Sequence, residues 1–152
     1  MINPRKRALA LDVGKKRIGL AISDELHISS SPLKCIDLGQ NRGKAIKDIV
    51  LVCKELSVGV IVVGYPLSLD GSKNIQTAFT DKFISSLQDA LDKDDVTSGN
   101  ISIVTWDERM SSVEAERYLK GSGKKSLERR RAKDNISALI LLESYLLSKS
   151  HN

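Results

Sequence analysis

Four acids in this chain stand where a carboxylate has chemistry available to it. Asp12 ends the apolar run that begins at Ala8, Asp107 and Glu108 follow a later apolar run, and Asp134 lies beside a basic cluster. A carboxylate at the end of a buried strand is costly unless it is paired or hydrogen-bonded, and like charges brought together raise one another's pKa. A divalent metal removes that conflict. Magnesium takes oxygen ligands in an octahedron and keeps waters beside one or two protein carboxylates. A pair of such ions about 3.5–4 Å apart clamps the attacking and leaving oxygens of a phosphodiester. Acids drawn from distant parts of the chain suit that arrangement, with manganese as an alternative ion. Each also has an ordinary explanation. Asp12 could shape a hairpin, Asp107 could bond turn backbone, Glu108 could pair with Arg109, and Asp134 could cap a helix. Asp12 stands out because a lone acid in a hydrophobic strand breaks local consistency, and such breaks concentrate at functional sites.

Two further features suit an anionic partner. The segment Tyr65 to Ser72 lacks the spacing of a phosphate-binding P-loop, but it leads to a helix start where Ser72, Lys73, Asn74 and free backbone N–H groups could hold a phosphate. The other reading is a plain turn at Asp70-Gly71. Residues 120–133 carry Lys120, Lys124, Lys125, Arg129, Arg130, Arg131 and Lys133 against the single acid Glu128, the compositional mark of a nucleic-acid contact or of a mobile solvated loop.

The elements that must position these residues follow from periodicity. Ala8 to Val13 and Ile18 to Ser23 read as strands joined by a hairpin at Gly14-Lys15-Lys16-Arg17, and Pro32 to Asp37 as a third strand. From Arg42 the stripe Ile46, Ile49, Val50, Cys53 and Leu56 predicts an amphipathic helix. Val58 to Gly64 is continuously apolar and β-branched, a strand buried on both faces. Ile75, Phe79, Phe83, Leu87 and Leu91 stripe a second helix, and Ile101 to Thr105 is a further strand. Ser111 and Glu114 form a capping box for a third helix. After the basic loop, Asp134 opens a last helix with the stripe Ile136, Leu139, Ile140, Leu146 and Leu147. The order is mixed α/β, and right-handed crossovers bring the carboxyl ends of strands one, four and five to one edge, where open sheets bind ligands.

With 152 residues, the chain has the size of one domain, expected over 1–152. The net charge of +5 and a pI of about 9.2 favour an anionic partner. No apolar run approaches the roughly 20 residues of a membrane span, and Met1 to Arg7 lacks a signal-peptide pattern, so a cytoplasmic protein without membrane contact is expected. Cys35 and Cys53 have no zinc-ligand spacing and read as buried, reduced core residues. His27 and His151 fall in loop or tail positions and are assigned no role.

Four blocks in order carry a family resemblance. ALALDVGKKRIGLAISD resembles an apolar strand, D-x-G-x-x-R-I-G and a second strand ending in S-D. VVGYPLSLDGS resembles V-G-L-P-L-N-M-D-G-S, WDERMSSVEAE resembles D-E-R-L-S-T-x-E-A, and KDNISALILLESYL resembles D-x-x-A-A-x-x-L-L-x-x-Y-L. All belong to the YqgF/RuvX family of pre-16S rRNA nucleases and Holliday junction resolvases, and the likeness covers residues 7–148. It implies a ribonuclease H-like fold, a mixed five-stranded sheet of order 3-2-1-4-5 flanked by helices. It also implies catalytic acids at Asp12, Glu108 or Asp107, and Asp134, with Asp12, Glu108 and Asp134 as metal ligands. Arg17, Ser72, Lys73, Arg109, Lys124, Lys125, Arg129, Arg130 and Arg131 would then meet the phosphate backbone of structured RNA or branched DNA, in a monomer or weak homodimer. Tyr65, Ser68 and the run Asn135-Ile136-Ser137 depart from the family pattern. The fourth strand ends in Val63-Gly64, without the carboxylate that related junction resolvases carry there, so the acid after strand five must substitute. Other readings are a junction resolvase, a ribosome-assembly protein that binds rRNA without cutting it, and an actin-like ATPase, which would need two such domains.

Overall fold

The computed structural model describes residues 6–39, 41–110 and 126–150, leaving out the side chains of 110, 126–135 and 150. A meander opens the chain: β1 (Arg7–Val13), β2 (Arg17–Ser23) and β3 (Ser30–Asp37). There follow α1 (Arg42–Glu55), β4 (Val58–Tyr65), α2 (Ile75–Lys93), β5 (Ser102–Asp107), a 3-10 turn (Glu108–Met110) and α3 (Ser126–Ser150). The sheet order is β3-β2-β1-β4-β5, antiparallel within the meander and parallel from β1 through β4 to β5, as the resemblance implies. At the first hairpin Gly14 donates to the Arg17 carbonyl at 2.9 Å, and a Cβ there would lie 2.9 Å from that same oxygen, so the turn needs a glycine.

Strand alternation divides the interior in two. Leu9, Leu11 and Val13 of β1 pack with Ile46, Ile49 and Cys53 of α1 and Phe83, Leu87 and Leu91 of α2. Ala8 and Ala10, on the opposite face, join Ala21, Val62 and the α3 residues Ala138, Leu139, Leu141, Leu142 and Tyr145. Small alanines on that face let a helix approach the sheet closely. Asp12 has the parity of Ala8 and Ala10, so it belongs to the α3 face.

Several expectations need correcting. Ile75 is 89% exposed; Asn74 and Thr77 form a reciprocal capping box that starts α2 there, and the buried stripe is Thr77, Thr80, Phe83, Leu87 and Leu91. Leu147 is exposed, while Leu141 and Leu142 are buried and take its place in the core. Cys53 is buried, its thiol pushed up to about 12 by desolvation, but Cys35 on the edge strand is only half-buried. β5 continues through Asp107 instead of stopping at Thr105. The basic loop also ends sooner than its charge indicates. Leu127, Glu128, the three arginines, Ala132 and Lys133 are all good helix formers, and the backbone is helical from Ser126. Asp134 therefore lies inside α3, eight residues after its start, which removes the N-cap reading. The capping box at Ser111 and Glu114 lies outside the described residues.

Candidate active site

The sheet edge that carries the carboxyl ends of β1, β4 and β5 brings two of the four acids together. Leu11 pairs with Val63 and Gly64 with Trp106, so Asp12, Gly64 and Trp106 form one row across the three parallel strands on the α3 face. Trp106 is tied to α3: its indole N–H donates to Ser144 Oγ at 3.1 Å, and its ring meets Tyr145 edge-on at 5.7 Å between centroids. Immediately beyond, in the 3-10 turn, Glu108 reaches back over Gly64 and shares a hydrogen bond with Asp12. Burial pushes the Glu108 carboxyl up to about 8, and the hydrogen bond and charge of Asp12, with a smaller contribution from Asp107, act in the same direction. A raised Glu108 carboxyl hydrogen-bonded to Asp12 in a half-buried site forms the oxygen-rich environment that a divalent cation relieves.

Asp107 does not join them. It shares the parity of Ile103, which packs on the α1 and α2 face, and so leaves the sheet on the side opposite Asp12. Its carboxylate accepts from Arg109 Nε at 3.0 and 2.9 Å, from Nη2 at 2.6 Å and from the Arg109 amide at 3.0 Å. These bonds to Arg109 hold Asp107 below the usual carboxylate range. The pairing of Glu108 with Arg109 weighed from sequence is thus taken by Asp107 instead.

Arg109 also ties down the loop after β4, donating from Nη1 to the Leu69 carbonyl at 3.3 Å. The loop folds on itself: Gly71, at φ +87°, donates to Ser68 O at 2.8 Å, and Ser68 to Ser72 O at 2.9 Å. Asn74 Nδ2 bonds Pro66 O and Ser68 Oγ. The amide and hydroxyl of Ser72 both donate to Asp70 Oδ1, at 2.9 and 2.6 Å, so the turn at Asp70-Gly71 uses them internally. Lys73 is exposed beside this turn. Tyr65, one of the departures from the family pattern, donates to both carboxylate oxygens of Asp81 at 3.0 Å and anchors the end of β4 to α2. Sequence reasoning missed this bond, because nothing local relates the two positions.

Arg17 opens β2 two residues before Gly19, the cross-strand partner of Asp12, and is exposed on the same edge. The side chains of Asp134, Arg129, Arg130 and Arg131, and residues Lys124 and Lys125 altogether, lie outside the described residues. Among the described residues no group of three or more acids, histidines or cysteines could hold a metal. What they supply is the pair Asp12 and Glu108, which suits an ion that keeps most of its waters.

A parallel-edged sheet of this order, with a carboxylate pair at its carboxyl edge, defines the class of ribonuclease H-like nucleases and junction resolvases. The solved structures agree on the fold. The fowlpox virus resolvase bound to Holliday junction DNA superposes with a TM-score of 0.56 at 10% identity, over 94% of this chain and 98% of that one. Thermus thermophilus RuvC with a Holliday junction substrate gives 0.53 at 9% identity, over 93% and 96%. The chain belongs to the RuvX family, described as Holliday junction resolvase, whose model matches residues 6–148. Among its relatives, a protein of Fusobacterium nucleatum is 37% identical over 93% of this chain and 96% of its own length, and one of Geobacillus kaustophilus is 33% identical over 94% and 99%. Both are provisionally named pre-16S rRNA nucleases.

Proposed function

We propose that this chain is a magnesium-dependent endonuclease that hydrolyses phosphodiester bonds in structured RNA, acting in 5′-end maturation of pre-16S rRNA. The observation that carries the reading is the Asp12–Glu108 carboxylate pair at the carboxyl edge of a ribonuclease H-like sheet. The names of the relatives supply the substrate class.

Asp12 and Glu108 would hold the ion, and Asp134 would add a third acid. Position 134 stands one helical turn before Ala138, which packs in the same cluster as Ala8 and Ala10 of the Asp12 face. When bound, magnesium supplies charge neutralisation at the scissile phosphate and a more acidic water. The protein's own part is to present Asp12 from a buried strand and Glu108 from a turn locked by Trp106, so that the two carboxylates need little rearrangement. Glu108, its carboxyl pushed up by burial and by Asp12, would give up its proton to serve as a ligand. Arg17 and Lys73 on the same edge, with Lys124, Lys125 and the arginines at 129–131, would draw in the phosphate backbone, while Arg109 holds the neighbouring loop in place. We place the enzyme in the cytoplasm, as a monomer or weak homodimer; among the described residues no helix is long and apolar enough to cross a membrane.

The test is cleavage by purified protein with magnesium, offered a pre-16S rRNA fragment or a four-way DNA junction, comparing wild type with Asp12→Asn. The expected result is cleavage of the RNA that the Asn variant loses while its circular dichroism is unchanged. Preference for the DNA junction would favour the resolvase reading, to which the family description points. RNA binding without cleavage would leave an assembly factor, and full activity of Asp12→Asn would overturn the metal site.

A further inference from the structure

Gly64 sits in the row between Asp12 and Trp106, and its backbone is not among those with positive φ, so any residue could adopt its conformation. Space is what forbids a side chain. A Cβ built on Gly64 would fall 2.8 Å from Glu108 Cγ and 2.9 Å from Cδ, and against the carboxylate oxygen Oε1 itself. Apart from the two chain neighbours, these are the nearest atoms to that Cβ among the described residues. The hollow above Gly64 is therefore filled by the Glu108 side chain, which crosses the end of β4 to reach Asp12.

We propose that Gly64 is a positioning residue of the active site: its missing side chain is what allows an acid carried after β5 to stand beside the acid carried on β1. This rests on the reading of Asp12 and Glu108 as metal ligands. The atoms in the way belong to the far end of a flexible side chain, so alanine at 64 displaces Glu108 and spares the sheet. Metal ligation is sensitive to such shifts. Loss of the groups that orient a ligand costs about 10- to 100-fold in metal affinity or activity, and a misplacement of about 1 Å can cost a similar factor in rate.

The experiment is a double-mutant cycle on the full chain, with Gly64→Ala, Glu108→Ala and the combined variant. Each is titrated with manganese by calorimetry and assayed for cleavage, with thermal melts recorded alongside. Gly64→Ala is expected to fold, to bind manganese about tenfold or more weakly and to lose activity in proportion. In the Glu108→Ala background the same substitution is expected to change nothing, because no side chain remains to be displaced. Wild-type affinity in Gly64→Ala, or an equal loss in both backgrounds, would overturn the proposal. If Gly64→Ala fails to fold, the combined variant decides: recovery of folding means that Glu108 alone fills the space, and continued failure overturns the proposal. A wild-type protein that binds no manganese, or a Glu108→Ala variant that binds it undiminished, would instead sink the metal-site reading beneath it.

Discussion

Between about pH 4.5, where an unperturbed glutamate titrates, and about 8, where Glu108 gives up its proton, the folded chain binds a proton that the unfolded chain does not. The contribution of Glu108 to the stability of the metal-free protein is therefore full below that window and is lost as pH rises through it. The Asp12 carboxylate strengthens the effect, so Asp12→Asn should flatten the pH dependence of thermal unfolding, and saturating magnesium should raise the melting temperature most at pH 8. A melting profile independent of pH between 5 and 8 in the metal-free protein would mean that Glu108 is not held protonated. The choice between Asp107 and Glu108 was partly open to reading from sequence. Period-two alternation from Ile103 places Asp107 on the α1 and α2 face, but only once the strand is known to run through Asp107. Glu108 escapes that alternation because it lies past the strand, in a turn whose direction no local pattern dictates.

At the scale of elements, the loop between β4 and α2 owes its shape to its own turn chemistry and to one long-range clamp. Arg109→Ala removes the bond to the Leu69 carbonyl and leaves the Asp107 carboxylate without its strongest partner. The ion pair lies at the surface, so we expect only a small loss of stability. Because Asp107 is held below its unfolded pKa, that contribution is present above about pH 4 and disappears as pH falls through the depressed value. The sharper readout is amide hydrogen exchange: residues 68–72 should exchange faster in the variant, with β4 and β5 unaffected. Unchanged exchange there would mean that the turn holds itself without Arg109. The start of α3 shows why composition misleads about elements. A run rich in lysine and arginine reads as a solvated loop, yet those residues carry high helix propensity, and the helix begins eight residues before Asp134.

Across the whole molecule, two cores are separated by one sheet, and Asp12 and Glu108, the proposed metal ligands, meet on the α3 side. Leu142 and Phe83 are both fully buried, one in each core. Leu142→Ala should cost about 2–5 kcal/mol and Phe83→Ala about 3–5 kcal/mol, measured by denaturant unfolding of the metal-free protein. They should differ in function. Leu142 supports the helix that also grips Trp106, the residue two before Glu108 being held by Ser144 and Tyr145. Under conditions where both variants remain folded, Leu142→Ala is expected to weaken manganese binding more than Phe83→Ala does. Equal affinities would show that the site is insulated from the α3 core.

The sequence by itself determined the order of the described strands and helices, the mixed sheet, the edge at which chemistry would gather and the prominence of Asp12. Each of these follows from local periodicity, crossover handedness or a polar residue that breaks an apolar run. Tertiary structure alone decided which acid meets Asp12, what Arg109 does and why position 64 is glycine. Those outcomes depend on register between strands that are distant in the chain and on where one turn sends a side chain. Val63 and Leu11 pair across 52 positions, and that pairing sets Gly64 beside Asp12 and leaves Glu108 the space to cross. A contact of that kind is settled by packing, where a difference of one residue in register moves every side chain to the other face.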